Sequence, residues 1–483
     1  MNDTRTTDRE RMLASEPIPR LLARMAIPAT IAMGVNALYN VVDTIFIGRG
    51  VGPLAIGGLS VAFPIQLIVI ATGLGFGIGG ASVISRALGA GDRERARRAA
   101  GSAFAMAAGV ALVITAVGLI FVDPILRLFG ATDDLIGYSR EYITTILPGS
   151  VFVAGAIAAN HVVRSEGQAI RSMLIMLLGA GLNIVLDPVF IFVFDLGIRG
   201  AALATVVAQG VSFVYAMLFY LRGQSALKLQ LRDILPRRHV VAEILSLGLP
   251  AFIRQFAASF FIVITNNALV TYGGDLHVSA FGVIYRILIF ALMPLFGIAQ
   301  GFQPIAGYNF GARNLSRVRE AVKVTNVTTV AISSVVFTVV MLFPEAVFRI
   351  FTDDDAIIGI GRRAIRIVML AVPLIGSQIA GAVFFQAVGR ALPALVLSLS
   401  RQVLLLIPLI IVLPAIFGLN GVWAAFPAAD VGATALTLTW LIVEMRKLRI
   451  VGCRERPEEP GCPDPDDAHD ARDRNAAQPA AAR

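Results

Sequence analysis

Asp43 is an acidic residue inside an apolar stretch that is long enough to cross a bilayer. The stretch covers residues 26–48 and reads AIPATIAMGVNALYNVVDTIFIG. Asn36 and Asn40 precede the acid by about two turns and one turn of a helix. A carboxylate in hydrocarbon costs a few kcal/mol or more, so it normally faces a cavity or a partner. These residue types therefore predict a site for a proton or a small cation.

A second acid, Asp187, lies in a later apolar stretch, GLNIVLDPVF. Asn183 precedes it by four residues, which puts both side chains on one face of a helix. Two carboxylates brought together would titrate as a coupled pair, which is the chemistry of a proton or cation relay. The alternative is that these acids mark helix ends at the membrane interface, where Asp187 merely precedes a kink at Pro188.

Other polar and glycine features have simpler explanations. Asp430 is a third acid within an apolar stretch, and polar packing explains it nearly as well as a functional role. His161 fits an interfacial position, and the glycines of GFGIGG (75–80) suit close packing of helices.

The sequence lacks the motifs of ATP-driven motors, zinc proteases and serine hydrolases. We therefore expect transport driven by an ion gradient and no enzymatic activity.

Hydrophobic residues make up 57% of the 483 residues, and charged residues make up only 15%. Soluble proteins usually contain about a quarter charged residues. The apolar residues form continuous runs, which predict helices rather than the alternating strands of a barrel. We therefore predict an all-α polytopic membrane protein. About twelve spans are expected, near residues 25–47, 55–84, 99–121, 137–160, 169–193, 197–221, 244–272, 278–308, 322–343, 364–387, 392–416 and 420–444.

The net charge of +9 is distributed unevenly among the loops. Arg and Lys cluster in alternate loops, for example at residues 93–98 and 446–449, whereas the loops between them contain acids such as Asp133 and Asp353. This positive-inside pattern predicts a multi-pass protein of the cytoplasmic (inner) membrane with both termini in the cytoplasm. It also explains the basic residues without nucleic acid, so the lipid bilayer is the expected partner.

The two halves of the sequence resemble each other at a constant offset in residue number. RALGAGDRERARRA (86–99) aligns with YNFGARNLSRVREA (308–321), and Pro28 aligns with Pro250 at the same offset. Each half holds about six spans, an even number, so the repeats are parallel, as in transporters whose pathway lies between the halves. The expected parts are a cytoplasmic segment (1–17), a first lobe (18–222), a cytoplasmic linker (223–243), a second lobe (244–447) and a disordered cytoplasmic tail (448–483).

The repeat also reveals an asymmetry between the halves. Asp43 aligns with Thr265 at the offset that relates Pro28 to Pro250. Asp187 aligns with Pro408 at an offset that is smaller by one, which is the offset of the last spans. The second half thus lacks membrane acids at the positions where the first half has them. We therefore expect the functional site to lie within the first half.

The sequence resembles the MATE family, the multidrug and toxic compound extrusion transporters, over about residues 18–447. The segments that carry the resemblance are IP with VVDTIFIG in the first span, RSEGQ (164–168), LNIVLDPVFIF (182–192), GIRGAALAT (197–205), YRI (285–287) and GYNFGARN (307–314). The resemblance implies two six-helix lobes in a V shape that exchange substrate for protons or sodium.

The DinF-like branch of this family places its cation site in the first lobe. Carried over residue by residue, the site would comprise Asp43, Asn160, Asn183, Asp187 and Thr205, with Pro28 as the bend of the first helix. The NorM-like branch instead has acids in the seventh and later spans. This sequence has residues such as Gln255 there, which argues against that branch.

These features predict an antiporter that exports amphipathic, mostly cationic drugs or toxins by alternating access. A proton is preferred to sodium as the coupling ion, and a sodium ion would bind at Asp43 and Asp187. We expect no cofactor beyond the ion gradient, small organic cations as ligands, and a monomer. The expected residues of the substrate cavity are Asn36, Asn40, Gln255, Phe256, Met293, Arg286 and Asp430.

Two other functions fit the same sequence. A flippase for lipid-linked precursors would need cationic residues in its cavity, and Arg254 and Arg286 lie within predicted spans. A membrane receptor or scaffold would use the membrane acids only to hold helices together. Arg254 and Arg286 also suit packing or snorkelling towards the interface.

Overall fold

The computed structural model describes residues 10–233, 235 and 237–455. This part of the chain is almost entirely helical and contains no β-strand, which confirms the predicted all-α fold. Residues 1–9 and 456–483, which hold parts of the predicted N-terminal segment and tail, lie outside the described residues. The helices are α1 (Ile18–Gly50), α2 (Pro53–Gly89), α3 (Arg93–Ile120), α4 (Val122–Leu128), α5 (Asp133–Ile146), α6 (Ser150–Ser165), α7 (Ala169–Pro188), α8 (Gly197–Leu221), α9 (Arg238–Gly273), α10 (Asp275–Gly311), α11 (Leu315–Leu342), α12 (Pro344–Arg349), α13 (Asp355–Val368), α14 (Val372–Ala387), α15 (Ala391–Leu399), α16 (Ile407–Phe417) and α17 (Leu419–Glu455).

Eleven helical segments in the described part of the chain are long and apolar enough to cross a membrane. A twelfth span is formed by α13 and α14 together, which are bent by 53° at a short break. The prediction of about twelve spans is therefore confirmed.

Some helices extend beyond the predicted spans and boundaries. α9 begins at Arg238, inside the predicted linker 223–243, and α17 continues to Glu455, past the predicted end of the second lobe at residue 447. The predicted spans have the length that a helix needs to cross the hydrocarbon layer. Arg, Lys and Glu are good helix formers, so the helices continue into water where the apolar residues end.

The internal repeat is visible in the helices themselves. α2 and α10 each contain 37 residues, and α3 and α11 each contain 28 residues. Both pairs begin at the offset that relates Pro28 to Pro250 in the sequence. Gly167 and Gly389, which follow α6 and α14, have φ angles of 79° and 82°. The halves pack through two contacts that the repeat makes equivalent. In one, α2 of the first half lies against α9 of the second, and in the other, α10 of the second half lies against α1 of the first.

The two halves are in backbone contact where α2 and α10 end. A Cβ atom at Gly89 would lie 2.8 Å from a backbone carbonyl carbon of α10, and one at Gly311 would lie 2.8 Å from that of Arg86. Only glycine avoids both clashes. Glu243 of α9 pairs nearby with Arg86 (3.0 Å) and Arg95 (2.7 Å). We call this end of the molecule, where the Arg and Lys residues cluster, the basic end.

Candidate functional site

The two predicted acids, Asp43 on α1 and Asp187 near the end of α7, meet inside the first half. Their carboxyl groups lie within hydrogen-bonding reach of each other. Asp187 is fully buried, and Asn183 hydrogen-bonds to it and donates to Thr205 Oγ1 of α8 over 3.2 Å. Two carboxylates repel each other at this range unless a proton or a cation binds with them. The pair is therefore suited to taking up and releasing a proton or a small cation.

Asp43 is the member of the pair that reaches open space. Its Oδ1 atom is buried, yet it has no hydrogen-bond partner among the described residues. Buried oxygens without a partner are uncommon in folded proteins, so each one requires an explanation, such as an ion. Tyr39, one turn earlier on α1, hydrogen-bonds to Thr205 beside the pair. The arrangement leaves one carboxyl oxygen available to an incoming proton or cation.

The backbone around Asp187 departs from regular helix geometry. Pro188 follows the acid and has no N–H group to continue the α-helical hydrogen bonds. Val189–Val193 then form a π-helical turn. π-helical turns are rare and often occur at functional sites. The local sequence thus places the acid where α7 changes its geometry.

A cavity of about 810 Å³ lies beside the acids within the first half. Its wall is formed by α1, α2, α5, α6, α7 and α8, and Gln255 of α9 and Gln300 of α10 reach it from the second half. The volume is typical of a small-molecule site. The polar residues on the wall are Asn36, Tyr39, Asp43, Ser60, Gln66, Tyr142, Ser150, Asn160, His161, Thr205, Gln209, Gln255 and Gln300.

The cavity brings together many of the residues predicted from the sequence. Two predicted residues of α7 are buried near its wall, whereas others on α1, α6, α8 and α9 line it. Asn40 belongs to α1, but its side chain lies outside the described part of the structure. The predicted residues on the wall are Asn36, Asp43, Asn160, Thr205 and Gln255, and the buried ones are Asn183 and Asp187.

Asn160 lines the cavity without joining the acids. Its Oδ1 accepts a hydrogen bond from Arg164, and its Nδ2 donates to the backbone carbonyl of Ser172 over 2.7 Å. Both polar ends of the amide therefore face away from Asp43 and Asp187. The structure does not bring Asn160 into the cation site that the family resemblance implies, because a buried arginine one turn along α6 takes its oxygen.

Four predicted cavity residues lie away from the cavity wall: Phe256, Met293, Arg286 and Asp430. Phe256 packs against Phe252 with ring centroids 5.1 Å apart, and Arg286 is exposed. Asp430 is 2% exposed and accepts a hydrogen bond of 2.5 Å from Arg401. α9 and α10 turn Gln255 and Gln300 towards the cavity instead, and α17, which carries Asp430, contributes no residue to its wall. The four residues do not line this cavity, and their part in substrate binding stays a prediction.

The second half contains aromatic packing where the first half has its site. In the internal repeat, Tyr39 and Asp43 correspond to Phe261 and Thr265. The Phe261 ring contacts that of Phe426, with centroids 5.9 Å apart. The Thr265 hydroxyl donates to the Phe261 carbonyl of its own helix over 2.7 Å. This filled core agrees with the asymmetry of the sequence.

Sequence reasoning missed several polar residues of the cavity wall. Gln66 Nε2 donates to the Tyr142 hydroxyl over 2.7 Å, and Gln209 and Gln300 also line the cavity. All are polar residues within apolar spans, which is the signal that identified Asp43. Their amides and hydroxyls are common enough in membrane helices that only the packing shows which of them share a cavity.

The described residues contain no group of three or more His, Cys, Asp or Glu side chains that could hold a metal ion. A sodium ion at the acidic pair would have to combine the carboxylates with neutral oxygens. Asn183 and Thr205 provide such oxygens close to Asp187. Hard cations accept carboxylate and amide oxygens together, so the donor set fits a sodium ion as well as a proton.

Twelve spans among the described residues, arranged as two repeated halves around a polar cavity in the first, define a membrane transporter with a parallel repeat. The MatE family model matches residues 28–189 and 250–412, which is most of the chain. The chain therefore belongs to the MATE family. The two matches begin at Pro28 and Pro250, the pair that the sequence itself aligns, which confirms the internal repeat.

Known members of the family are similar over nearly the whole chain. The multidrug export protein MepA of Staphylococcus haemolyticus is 27% identical over 415 residues, 86% of this chain and 91% of that protein. A multidrug resistance MATE transporter of the MOP superfamily, solved in an outward-facing conformation, is 28% identical with a TM-score of 0.85 over 90% of this chain and 98% of that one. A MATE crystal structure in a bent conformation is 28% identical with a TM-score of 0.86 over 92% of this chain and 99% of that one.

Proposed function

We propose that the chain is an ion-coupled antiporter that exports amphipathic, mostly cationic drugs or toxins. The observation that carries the proposal is the contact of Asp43 with Asp187 at an 810 Å³ cavity. The multidrug exporters among its relatives support the export of drugs. All residues of the site come from one chain, so a monomer is sufficient.

The acidic pair can couple an ion to a substrate because both compete for the same negative charge. A proton or cation bound at Asp43 and Asp187 neutralises the pair and removes its attraction for an organic cation. Competition of this kind, or a preference of the two ligands for different conformations, is enough to couple exchange. A proton that enters down 100 mV supplies about 2.3 kcal/mol, and each unit of pH gradient adds about 1.4 kcal/mol.

We favour a proton over sodium as the coupling ion. The carboxyl groups of Asp43 and Asp187 are within hydrogen-bonding reach, so one shared proton satisfies both without further ligands. Sodium would need several oxygens at once, and the Oδ1 atom of Asn160 is occupied by Arg164. The filled core of the second half further supports coupling in the first half, as in the DinF-like branch.

The orientation follows from the charges at the basic end. The positive-inside rule assigns the basic end, and both termini with it, to the cytoplasmic side of the cytoplasmic membrane. Glu243 joins the halves there through Arg86 and Arg95. The conformation is therefore closed towards the cytoplasm, and its similarity to an outward-facing relative supports this assignment. Export requires a second conformation in which these contacts open.

We also propose that α1 bends at Pro28 during the cycle. The helix is continuous from Ile18 to Gly50, and Pro28 lies inside it. A proline removes one backbone hydrogen bond and weakens the helix at that point. A relative solved in a bent conformation supports such a movement. Bending at Pro28 would move Asp43, which lies further along the same helix, relative to Asp187 on α7.

Two rival functions are less well supported. A flippase for lipid-linked precursors would place arginines in the cavity, but neither Arg254 nor Arg286 lines the cavity wall, and Arg286 is exposed. A receptor or scaffold would pair its membrane acids to hold helices together, as Arg401 does with Asp430. Asp43 Oδ1 has no such partner among the described residues.

Efflux from proteoliposomes tests the proposal directly. Purified protein would be reconstituted with a fluorescent cationic dye and challenged with a pH gradient, a sodium gradient or neither. We expect dye movement with the pH gradient and little without it. Dye movement driven by the sodium gradient alone would identify sodium, rather than the proton, as the coupling ion. Dye movement that is independent of both gradients would contradict ion-coupled antiport.

A further inference from the structure

The end of the second half that lies opposite the basic end carries a group of arginines. Arg362, Arg363 and Arg366 of α13 are spaced one, three and four residues apart, so they share one side of the helix. All three side chains are exposed. None of them forms a hydrogen bond or an ion pair with a described residue. We call these three residues the α13 arginines.

The internal repeat shows that this positive face belongs to the second half alone. α5 of the first half corresponds to α13, and both helices contain 14 residues. α5 contains three acids and one arginine, whereas α13 contains one acid and three arginines. At the offset of the repeat, Glu141 is replaced by Arg363 and Thr144 by Arg366. The sign of the charge is therefore reversed between equivalent helices.

The acids near α13 are occupied by other partners or lie too far away. In the first half, Asp123 accepts two hydrogen bonds, of 2.8 and 2.6 Å, from the arginine of α5. Its equivalent, Glu345, pairs with Arg349 instead (3.0 Å), and the acid at the start of α13 pairs with the same arginine over 3.3 Å. The acids at 353–354 precede Arg362 by roughly 12 Å along the helix axis. The α13 arginines are thus left without a counter-charge in the described part of the chain.

The length of the span places the α13 arginines at a membrane surface. α14 ends at Ala387, and Gly389 just after it lies against Arg86 at the basic end. Arg366 precedes Ala387 by 21 residues, a helical path of roughly 30 Å. The hydrocarbon layer is also about 30 Å thick, so the arginines reach the headgroups of the leaflet away from the basic end. The positive-inside rule alone expects few basic residues on that side.

The surface around the α13 arginines is apolar. Leu370 follows Arg366 by about one turn, and Leu342 and Phe343 lie where α11 ends. Ile350 follows α12, which packs against α13. All four apolar side chains are more than half exposed. Exposed apolar surface of this kind marks contact with a membrane. The charged face therefore adjoins a lipid-facing surface.

We propose that the α13 arginines bind the phosphate groups of anionic lipids in the leaflet away from the basic end. A guanidinium group can hold a phosphate through two hydrogen bonds. Arginine stems also lie along apolar surface while their charge stays among the headgroups. The interaction holds the second half, and not the first, to anionic lipid in that leaflet. The inference depends on the location in a membrane and not on the substrate or the coupling ion.

Lipids that carry a nitroxide test the surface at two equivalent positions. Gly359 lies about one turn before the α13 arginines, and Gly137 is its equivalent on α5. A Cβ atom at either position meets nothing within 4 Å among the described residues. Gly359→Cys or Gly137→Cys would be labelled with bimane in the full chain after Cys453→Ser and Cys462→Ser. Nanodiscs of phosphatidylcholine would contain phosphatidylglycerol or phosphatidylcholine with a nitroxide near the headgroup, which quenches a nearby bimane.

We expect the label at residue 359 to be quenched by phosphatidylglycerol at about a fivefold lower concentration than by phosphatidylcholine. This is the effect of one arginine near an anionic surface. The label at residue 137 should be quenched alike by both lipids. Replacing the three α13 arginines by Gln should remove the preference at residue 359, and replacing them by Lys should keep part of it.

The variant Lys323→Gln/Arg446→Gln/Lys447→Gln is the matched control. It removes three exposed charges at the basic end and should leave the preference at residue 359 unaltered. Equal quenching at residue 359 by the two lipids, or a preference that survives the three changes to Gln, would overturn the proposal. An equal preference at residue 137 would do so as well, because it would show attraction without the α13 arginines.

Inorganic phosphate distinguishes a lipid from a soluble anion. At millimolar concentration and constant ionic strength, it should leave the preference for phosphatidylglycerol in place. A preference that inorganic phosphate removes would assign the α13 arginines to a soluble anion and overturn the lipid proposal. Dye efflux is not part of this measurement, so its result leaves the proposed export function unaffected.

Discussion

Asp43 and Asp430 are both acids inside spans, and their surroundings assign them different roles. Asp430 is 2% exposed and bonds to Arg401 over 2.5 Å. Asp43 lies at the cavity wall with an unpartnered Oδ1 atom and a second carboxyl group, that of Asp187, within reach. The ion pair with Arg401 occupies Asp430, whereas Asp43 keeps an oxygen open to an incoming proton or cation, which is what coupling requires.

The variant Asp430→Asn should lose stability without losing transport. It leaves the partly buried Arg401 beside a neutral side chain, and breaking a buried ion pair costs up to about 3–5 kcal/mol. We expect a lower melting temperature in detergent, with gradient-driven efflux per folded molecule close to that of the wild type. The double variant Asp430→Asn/Arg401→Gln should regain part of the loss. A melting temperature equal to that of the wild type would show that the pair contributes little.

The grouping of Asp43, Asp187 and Asn183 could be predicted from residue types and helical spacing, because unpaired polar groups in a span must find each other or a cavity. The environment of Asn160 could not be predicted in this way. Its amide is occupied by Arg164 and a backbone carbonyl, and that choice depends on how α6 packs against α7. Contacts between different helices leave no periodic signal in the sequence.

At the scale of elements, a short N-terminal segment joins the two halves at the basic end. Residues 10–15 form a helical turn in which Leu13 is 2% exposed. Glu10 pairs with Arg93 of the first half over 3.0 Å. Arg317 of the second half donates to the Glu16 carbonyl over 2.7 Å. The segment must release one of these contacts before the basic end can open.

Arg317→Gln should make that opening easier. The variant weakens the bond to the Glu16 carbonyl, and we expect a larger population in which the halves have separated at the basic end. Spin labels at the exposed positions Glu94 and Glu320 would report it as added long distances. Lys323→Gln, an exposed change on the same helix, is the control and should leave the distances unaltered. Identical distributions for both variants would rule out a clasp by this segment.

The elements themselves were largely predictable, since uninterrupted apolar runs and positively charged loops determine which segments cross the membrane. The residues at which the helices begin and end could not be predicted in this way. The start of α9 at Arg238 and the extension of α17 to Glu455 follow from helix propensity in water, which hydrophobicity does not report. The helix ends that differ from the predicted ones therefore lie among polar residues at the basic end.

At the scale of the whole molecule, alternating access requires the halves to separate and rejoin at the basic end. Gly89 and Gly311 allow α2 and α10 to meet in backbone contact there. These glycines are equivalent positions of the internal repeat, so the contact is symmetric. The fit of two backbones is rigid, and it should be sensitive to a single methyl group.

Gly311→Ala should prevent this closure. Its Cβ atom would lie 2.8 Å from the Arg86 carbonyl carbon, and a backbone atom cannot move aside as a side chain can. We expect the spin labels at Glu94 and Glu320 to lose their short distance, and efflux to fall at least tenfold. Gly282→Ala is the control on the same helix, because a Cβ atom there meets nothing within 4 Å. A closed Gly311→Ala variant with normal efflux would contradict a role for this crossing.

The measurement that tests ion coupling at the first half most directly is dye efflux by Asp43→Asn and Asp430→Asn, compared with the wild type. Each variant would be reconstituted at equal amounts of folded protein, below its melting temperature, under the same pH gradient. We predict that Asp43→Asn loses gradient-driven efflux, because an amide cannot take up and release the coupling ion, while Asp430→Asn retains it. Efflux by Asp43→Asn at the wild-type rate, with the same dependence on the gradient, would contradict the assignment of coupling to Asp43 and Asp187.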